Sequence, residues 1–241
     1  MVDSAQREAI LKRALTYPYA APERSYLYRE GQATELPEDF DLCGRTPLLS
    51  YGANAAPEAL ALKLAALPGE PLPAVRSELH DFDVVYSAHV SPYGAVPATL
   101  FESPGTVAPA FVLHPTAEQH ALLTATELNY DLVRIGELEA YRSKHGCLEF
   151  GGSPVALAAV RSRGRTVPEL DQPAVLERVR AQLAPESGLE GFIHACIERG
   201  GIKPLRIDAG PVGRSRRKQG RGSPGAGAGR RSPVRSRRAR R

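Results

Sequence analysis

The order of the predicted elements constrains the fold of this chain more than any single motif does. Apolar and polar residues alternate over 79–90, which is typical of a strand with one buried face. Two short strands follow at 97–101 and 107–113, joined by a hairpin-like turn at 103–105. Because strands come in runs and do not alternate with helices, the pattern predicts an α+β fold and argues against a doubly wound sheet.

Helical patterns surround these strands and complete the predicted architecture. Helices are predicted at 4–15, from Pro57 onward, from Pro115 to about Thr126, and at 172–183 and 189–199. Further strands are predicted at 46–51, 131–138 and 153–161. The expected arrangement is a strongly bent mixed sheet or small barrel with flanking helices.

Charge divides the chain into three predicted parts. From residue 209 onward there are eleven Arg and one Lys without any Asp or Glu, which leaves 19 of the 31 basic residues against 27 acidic ones in the rest. We predict a helical and irregular arm at 1–45, one folded domain at 46–208 and a disordered tail at 209–241. The tail has no aromatic residue, so any nucleic-acid contact through it would be weak and unselective.

Composition excludes several classes of protein without naming a function. The three cysteines, Cys43, Cys147 and Cys196, form no C-x-x-C pair, which argues against a disulfide framework or a structural zinc site. No leader-like apolar segment opens the chain, and no run reaches about 18 apolar residues. The expectation is a soluble cytoplasmic protein with reduced thiols and no membrane span. Oligomeric state is not predicted.

The histidines offer little support for a metal site or a nucleophilic dyad. They are scattered, and none forms an H-x-x-x-H pair with a nearby acid: His80, His89, His114, His120, His145 and His194. His145 and Cys147 flank Gly146, which is read more simply as a turn. Surface or loop positions are therefore the default expectation for these residues.

The strand at 46–51 leads into a turn that suits an anionic ligand. A loop between a strand and a helix presents unpaired backbone N–H groups, and the helix start adds partial positive charge. Gly52 would allow a sharp turn and close approach of a ligand, while Asn54 would tolerate a left-handed conformation and supply an amide. The alternative is a plain strand-to-helix connection without function.

Glu127 is the candidate proton-transfer group. It follows Leu123 by four residues on the same helical face and lies near a helix C-terminus. Burial and the helix dipole are both expected to raise the pKa of this carboxyl group, as proton exchange near neutrality requires. The alternative is a solvated Glu at a helix end.

Five motifs in one collinear order carry a resemblance to a known family. They are SYGAN, LHDFDVVY, PATLFESPG, LLTATELNY and PESGLEGFIHACIERG, and they span roughly residues 46–200. Together they resemble the γ-glutamylcyclotransferase-like family. The resemblance implies a small closed β-barrel with helices around it, and an intramolecular aminolysis that releases 5-oxoproline and a free amine from a γ-glutamyl amine or peptide.

The resemblance also implies residue roles. The loop that holds the γ-glutamyl group would consist of Tyr51, Gly52, Ala53 and Asn54. Glu127 would act as general acid and base, and Tyr130 would border the pocket. No metal or organic cofactor is implied.

The sequence departs from the family pattern at three positions. Ala53 stands where the family usually has Ser, Thr124 where it has Asp, and Leu128 where it has Gly. These departures put the substrate and the activity in question more than the fold. The alternatives are therefore a non-catalytic module that binds a small ligand on the same fold, and an interaction protein that acts through its tail.

Overall fold

The computed structural model describes residues 4–205 and 207. The α-helices are α1 (Ser4–Leu15), α2 (Pro57–Lys63), α3 (Ala117–Thr126), α4 (Gln172–Leu183) and α5 (Leu189–Glu198). The longer strands are β1 (Tyr26–Arg29), β2 (Gln32–Glu35), β3 (Leu48–Ser50), β4 (Leu72–Tyr86), β5 (Ala98–Leu113), β6 (Tyr130–Ile135) and β7 (Leu138–Ser143). Short strands follow as β8 (Glu149–Phe150), β9 (Ser153–Pro154), β10 (Ala156–Leu157) and β11 (Glu169–Leu170). The predicted tail at 209–241 lies outside the described residues.

One large, mostly antiparallel sheet organises the described residues. Its hydrogen-bonded order is β11-β10-β4-β5-β3-β7-β6, and the β1–β2 hairpin joins it through β4. Only the β3–β7 and β10–β11 pairs in this described sheet are parallel. The α+β prediction is confirmed. The order ends at β11 on one side and β6 on the other, so the sheet is open and the closed barrel among the expectations is wrong.

The segment before residue 46 contains a hairpin that the sequence prediction missed. Tyr26 and Tyr28 are 2% and 4% exposed and pack into the core, while β1 pairs with both β2 and β4. Glu30 and Gly31 turn the chain with positive φ angles of 49° and 80°, the backbone geometry that two-residue hairpins prefer. The available signal was the alternation of Tyr26 and Tyr28 just before the Glu30-Gly31 turn. The prediction of an irregular segment was wrong at this point.

The predicted hairpin at 103–105 is instead an irregularity within one long strand. In the β4–β5 ladder, Phe82 pairs with Glu102 and His80 pairs with Val107, so four residues of β5 lie opposite a single residue of β4. That residue, Asp81, accepts a hydrogen bond from the Gly105 N–H at 2.8 Å. The Ser-Pro-Gly signal did mark a break in regular pairing, but the strand continues in the same direction.

The predicted polar residues of the strand at 79–90 are buried from Asp83 onward, whereas Asp81 is exposed. Asp83, Ser87 and His89 are at most 1% exposed. Asp83 contacts Arg165, and Ser87 Oγ contacts Ser143 Oγ at 2.6 Å, so later segments of the chain cover this side of the strand. Alternation predicted a strand here, but β4 begins earlier and ends at Tyr86, so residues 87–90 lie outside it. Alternation also did not predict that polar partners cover the second face.

Strand β3 is buried on both faces and brings the two hydrophobic clusters together. Leu48 packs in the cluster around α2 and α3, whereas Leu49 packs in the cluster around α1, α4 and α5. Both side chains are nearly inaccessible, which explains why this strand is a continuous apolar run without alternation. The chain leaves β3 at the junction of the two clusters.

Candidate functional site

The end of β3 opens into a cavity of about 340 Å³. All six residues that the sequence reasoning singled out line it: Tyr51, Gly52, Ala53, Asn54, Glu127 and Tyr130. Aromatic rings supply much of the remaining wall, with further contributions from α1, α2 and the segment at 89–93. The structure thus brings together two stretches that lie more than seventy residues apart in the chain.

The loop that follows β3 is a single 3-10 turn over Ala53–Ala55. Gly52 is required by packing: a Cβ atom there would lie 2.8 Å from the Tyr17 hydroxyl oxygen. Asn54 is not among the described residues with positive φ, so the expected left-handed conformation at this position is wrong. Its amide does face the site, as expected for a residue that contacts a ligand or a catalytic group.

Glu127 is the C-cap residue of α3 and directly follows its last residue, Thr126. The start of α3 is fixed by a capping box between Thr116 and Gln119, and Leu123 is fully buried one turn before Glu127. The Glu127 side chain is 13% exposed. Its Oε1 atom accepts a hydrogen bond from Asn54 Nδ2 at 3.0 Å, which connects the end of α3 directly to the loop after β3.

Lys63 is a charged cavity residue that sequence reasoning missed. Its Nζ atom lies 2.5 Å from Glu127 Oε1, and its side chain is 21% exposed. Lys63 and Ala59 are one turn apart on α2, and both line the cavity. The available signal was that Lys63 is the single charge in the helical stretch ALALKLAAL, where a partner for that charge is expected.

The tyrosines around the cavity are held by backbone groups. The Tyr51 hydroxyl donates to the Tyr141 carbonyl, and the Tyr130 hydroxyl donates to the Ala98 carbonyl at 2.8 Å. The Tyr17 hydroxyl accepts from the Ala98 N–H at 2.8 Å. Burial raises the pKa of Tyr17, Tyr51 and Tyr130 far above neutrality. These rings therefore shape the cavity as neutral groups.

Three buried polar atoms of the cavity wall have no hydrogen-bond partner within the described part of the chain. They are Tyr19 Oη, Ser50 Oγ and Asn54 Oδ1. Ser50 is only 4% exposed and lies at the end of β3. Because an unsatisfied buried polar atom is costly, these three oxygens are the positions where a polar ligand would gain most from binding.

His89 lies in the loop after β4, as the default expectation of a surface or loop position allows, but it is a buried member of the cavity wall. Its Nδ1 atom lies 2.7 Å from Ser87 Oγ, and its ring packs against the rings of Tyr130 and His145. Burial, together with the nearby His145 and Lys203, lowers the pKa of His89 to about 3. His89 is accordingly neutral near pH 7.

The charged residues of the wall are Arg13, Lys63 and Glu127, so cations outnumber carboxylates by one among the described lining residues. The Arg13 guanidinium lies 5.0 Å from the centre of the Tyr93 ring, a cation–π contact. Lys63 is compensated by Glu127, whereas Arg13 has no carboxylate partner among the described salt bridges. The cavity is therefore suited to a ligand that carries a negative charge.

Comparisons of the chain with protein-family models, curated proteins and solved structures found no match. Within residues 4–205 and 207, no group of three or more His, Cys, Asp and Glu side chains is placed to hold a metal ion. Across the same residues, every helix is too short or too polar to cross a membrane.

Proposed function

We propose that this chain is a γ-glutamylcyclotransferase-like enzyme that releases 5-oxoproline from a γ-glutamyl amine or peptide. The observation that carries the proposal is the 3.0 Å contact between Asn54 Nδ2 and Glu127 Oε1 in one cavity. It joins the loop that would bind the acyl group to the carboxylate that would move the proton. The five collinear motifs support the same assignment.

The reaction needs one molecule held in a folded conformation. The substrate's α-amine attacks its own γ-carbonyl carbon, so a new C–N bond forms while the γ-amide C–N bond breaks. The proton lost by the attacking amine ends on the leaving nitrogen, and no water is consumed. Because nucleophile and electrophile belong to one molecule, positioning supplies much of the rate enhancement.

Glu127 is arranged to carry that proton. Lys63 and Asn54 both engage Oε1, and no hydrogen bond to Oε2 is present among the described residues. We assign Oε2 as the atom that accepts the proton from the α-amine and returns it to the leaving nitrogen. Lys63 and Asn54 would then fix the carboxylate in one orientation. A single positioned acid and base of this kind contributes about 10²- to 10⁴-fold.

Backbone donors of the turn are available for the developing oxyanion. The 3-10 turn makes its first hydrogen bond from the Ala55 N–H to the Gly52 carbonyl at 3.1 Å. The N–H groups of Ala53 and Asn54 precede that bond, and they have no acceptor within the described part of the chain. The substitution of Ala for Ser at position 53 removes a hydroxyl but keeps this N–H.

A non-catalytic binding module is the second candidate, and one observation favours it. Lys63 and Asn54 already satisfy Glu127 Oε1, so the carboxylate can act as a fixed clamp between α2 and α3 without any proton transfer. Such a module would bind a small carboxylate or amide ligand in the same cavity. It would not need a group that changes protonation.

Incubation of the full chain with a panel of γ-glutamyl amines and peptides separates the two candidates. The enzyme predicts time-dependent 5-oxoproline together with an equal amount of free amine, both measured by mass spectrometry. The module predicts no product, and a rise in melting temperature with one or more members of the panel. Absence of both product and stabilisation across the panel would contradict both candidates.

A further inference from the structure

Two exposed leucines lie at the edge of the cavity. Leu62 is 59% exposed and Leu128 is 76% exposed, and both belong to the cavity lining. Two other strongly exposed large apolar side chains in the described residues, Leu132 and Leu183 at 40% each, lie outside it. A single exposed leucine is ordinary, but the two most exposed ones bordering one cavity are informative.

Each of these leucines is the sequence neighbour of one member of the site's ion pair. Leu62 directly precedes Lys63 on α2, and Leu128 directly follows Glu127 at the end of α3. Both leucines therefore border the cavity next in sequence to the Lys63–Glu127 ion pair, and we call the two side chains the leucine rim (Leu62 and Leu128). The backbone of Leu128 is fixed as well, because Lys144 Nζ donates to its carbonyl at 3.1 Å.

The rim and the buried end of the cavity differ in chemistry. The buried end offers Ser50 Oγ, Asn54 and the carboxylate of Glu127, which suit the polar glutamyl portion of a substrate. The rim offers exposed apolar surface instead. If the reacting γ-amide of the substrate lies at Glu127, the substituent on the amide nitrogen, which is the amine portion of the substrate, extends toward the rim.

We propose that the leucine rim binds the amine portion of the substrate and selects γ-glutamyl amides whose amine portion is uncharged and apolar. The inference rests on the proposed function, because that function fixes which end of the substrate faces outward. Covering the leucines with an alkyl group removes apolar surface of both molecules from water. An ammonium group at the same place would meet the net positive charge of the cavity wall, which is that of Arg13 since Glu127 compensates Lys63, and it would lose hydration.

The test uses probes that cannot react. Glutaric acid monoalkylamides keep the carboxylate, the acyl chain and the γ-amide but lack the α-amine, so they cannot cyclise. We would measure the Kd of the methyl, propyl and pentyl amides by calorimetry, with the 5-aminopentyl amide as the cationic counterpart. For the unaltered chain, Kd is expected to fall by about threefold per added methylene. The aminopentyl amide is expected to bind at least about tenfold more weakly than the pentyl amide.

Matched leucine variants assign the effect to the rim. In the double variant Leu62→Gln with Leu128→Gln, the dependence of Kd on chain length is expected to disappear. In the control with Leu132→Gln and Leu183→Gln, which removes two exposed leucines outside the cavity, it should persist. All four positions are exposed, so folding is expected to be retained and is checked by the melting temperature.

The outcomes distinguish failure of this inference from failure of the proposed function. Equal Kd values along the alkyl series, no measurable binding, or the same dependence in the rim variant would overturn the inference. A rim variant that loses self-association while its Kd values stay unchanged would show that the leucines contact another protein chain instead. Chain-length selectivity without 5-oxoproline from γ-glutamyl pentylamide would overturn the proposed function and leave the binding preference established.

Discussion

Asp83 with Arg165 and Glu127 with Lys63 are two partly buried ion pairs that differ in how fully their polar atoms are satisfied. Asp83 is fully buried and its two oxygens accept from Arg165 Nε, Arg165 Nη2, Ser162 Oγ and the Val84 N–H at 2.7 to 2.9 Å. Glu127 receives two donors, and both bind Oε1. The first carboxylate is saturated by the protein, whereas the second keeps one oxygen without a described donor.

The difference indicates what each pair does. A saturated buried carboxylate has no capacity left for a ligand, and its donors connect β4 to the loop at 160–165. The Lys63–Glu127 pair borders a cavity, beside the unsatisfied Ser50 Oγ. We therefore expect loss of the first pair to lower stability and loss of the second to lower function.

Removal of Asp83 should give the largest change in stability. Asp83→Ala leaves the Arg165 guanidinium, whose side chain is 9% exposed, without its buried carboxylate. Breaking such a pair costs about 3–5 kcal/mol in the free energy of unfolding, measured by urea titration. Glu169→Gln is the control, because it removes the 56% exposed partner of the same Arg165 and should cost at most about 1 kcal/mol. Equal losses of unfolding free energy in the two variants would contradict a structural role for the buried Asp83–Arg165 pair.

His89 supplies a pH dependence specific to the cavity wall. It binds a proton near pH 6.5 in the unfolded chain but only near pH 3 when folded, so the unfolded state takes up more protons between these values. The free energy of unfolding should therefore fall as the pH drops below about 6.5. For His89 alone the expected loss between pH 7 and pH 5 is about 2 kcal/mol.

The measurement compares urea unfolding of the unaltered chain and of His89→Asn at pH 7, 6 and 5. Burial also lowers the pKa of His114 and His145, and both contribute with the same sign in the two proteins. The difference between the proteins therefore reports His89 together with its coupling to His145. A loss of stability with the same slope in His89→Asn would show that His89 does not titrate as the structure implies.

Replacement of Lys63 should lower the free energy of unfolding less than Asp83→Ala does, and less than a drop from pH 7 to pH 5 does. The pair is partly exposed, so Lys63→Met is expected to lower the free energy of unfolding by about 1 kcal/mol or less. If Lys63 positions Glu127, kcat for 5-oxoproline release should fall about tenfold with little change in KM, and Lys63→Arg should recover part of it. Lys12→Met, an exposed position on α1, is the control. Loss of stability without loss of kcat would assign Lys63 a purely structural role.

The fold was predictable where local pattern and tertiary environment agree. Strand β3, the proline at the start of α2 and the helices α4 and α5 follow periodicity and capping signals, and the structure places them close to the expected bounds. The polar face of β4 was not predictable in this way. Asp83 is buried because Arg165, more than eighty residues later, returns to pair with it, and no local pattern contains that information.

The site was predictable in its members more than in its interactions. The motif order identified the loop at 51–54 and Glu127, and the structure places both in one cavity. Lys63 was missed because a lysine in an apolar helix has several ordinary explanations, and only the approach of α2 to the end of α3 reveals its partner. The amide of Asn54 was expected to serve the site, but the sequence did not reveal that it contacts Glu127.

The most direct test of the account is the rate of 5-oxoproline release by Glu127→Gln on the best substrate of the γ-glutamyl panel. Glu118→Gln, an exposed carboxyl in the first turn of the same helix, is the matched control. We expect Glu127→Gln to lower the rate of 5-oxoproline release by about 10²-fold or more while its melting temperature stays near native. The rate for Glu118→Gln should be unchanged. Release by Glu127→Gln at the rate of the unaltered chain would contradict the assignment of this carboxylate as the acid and base.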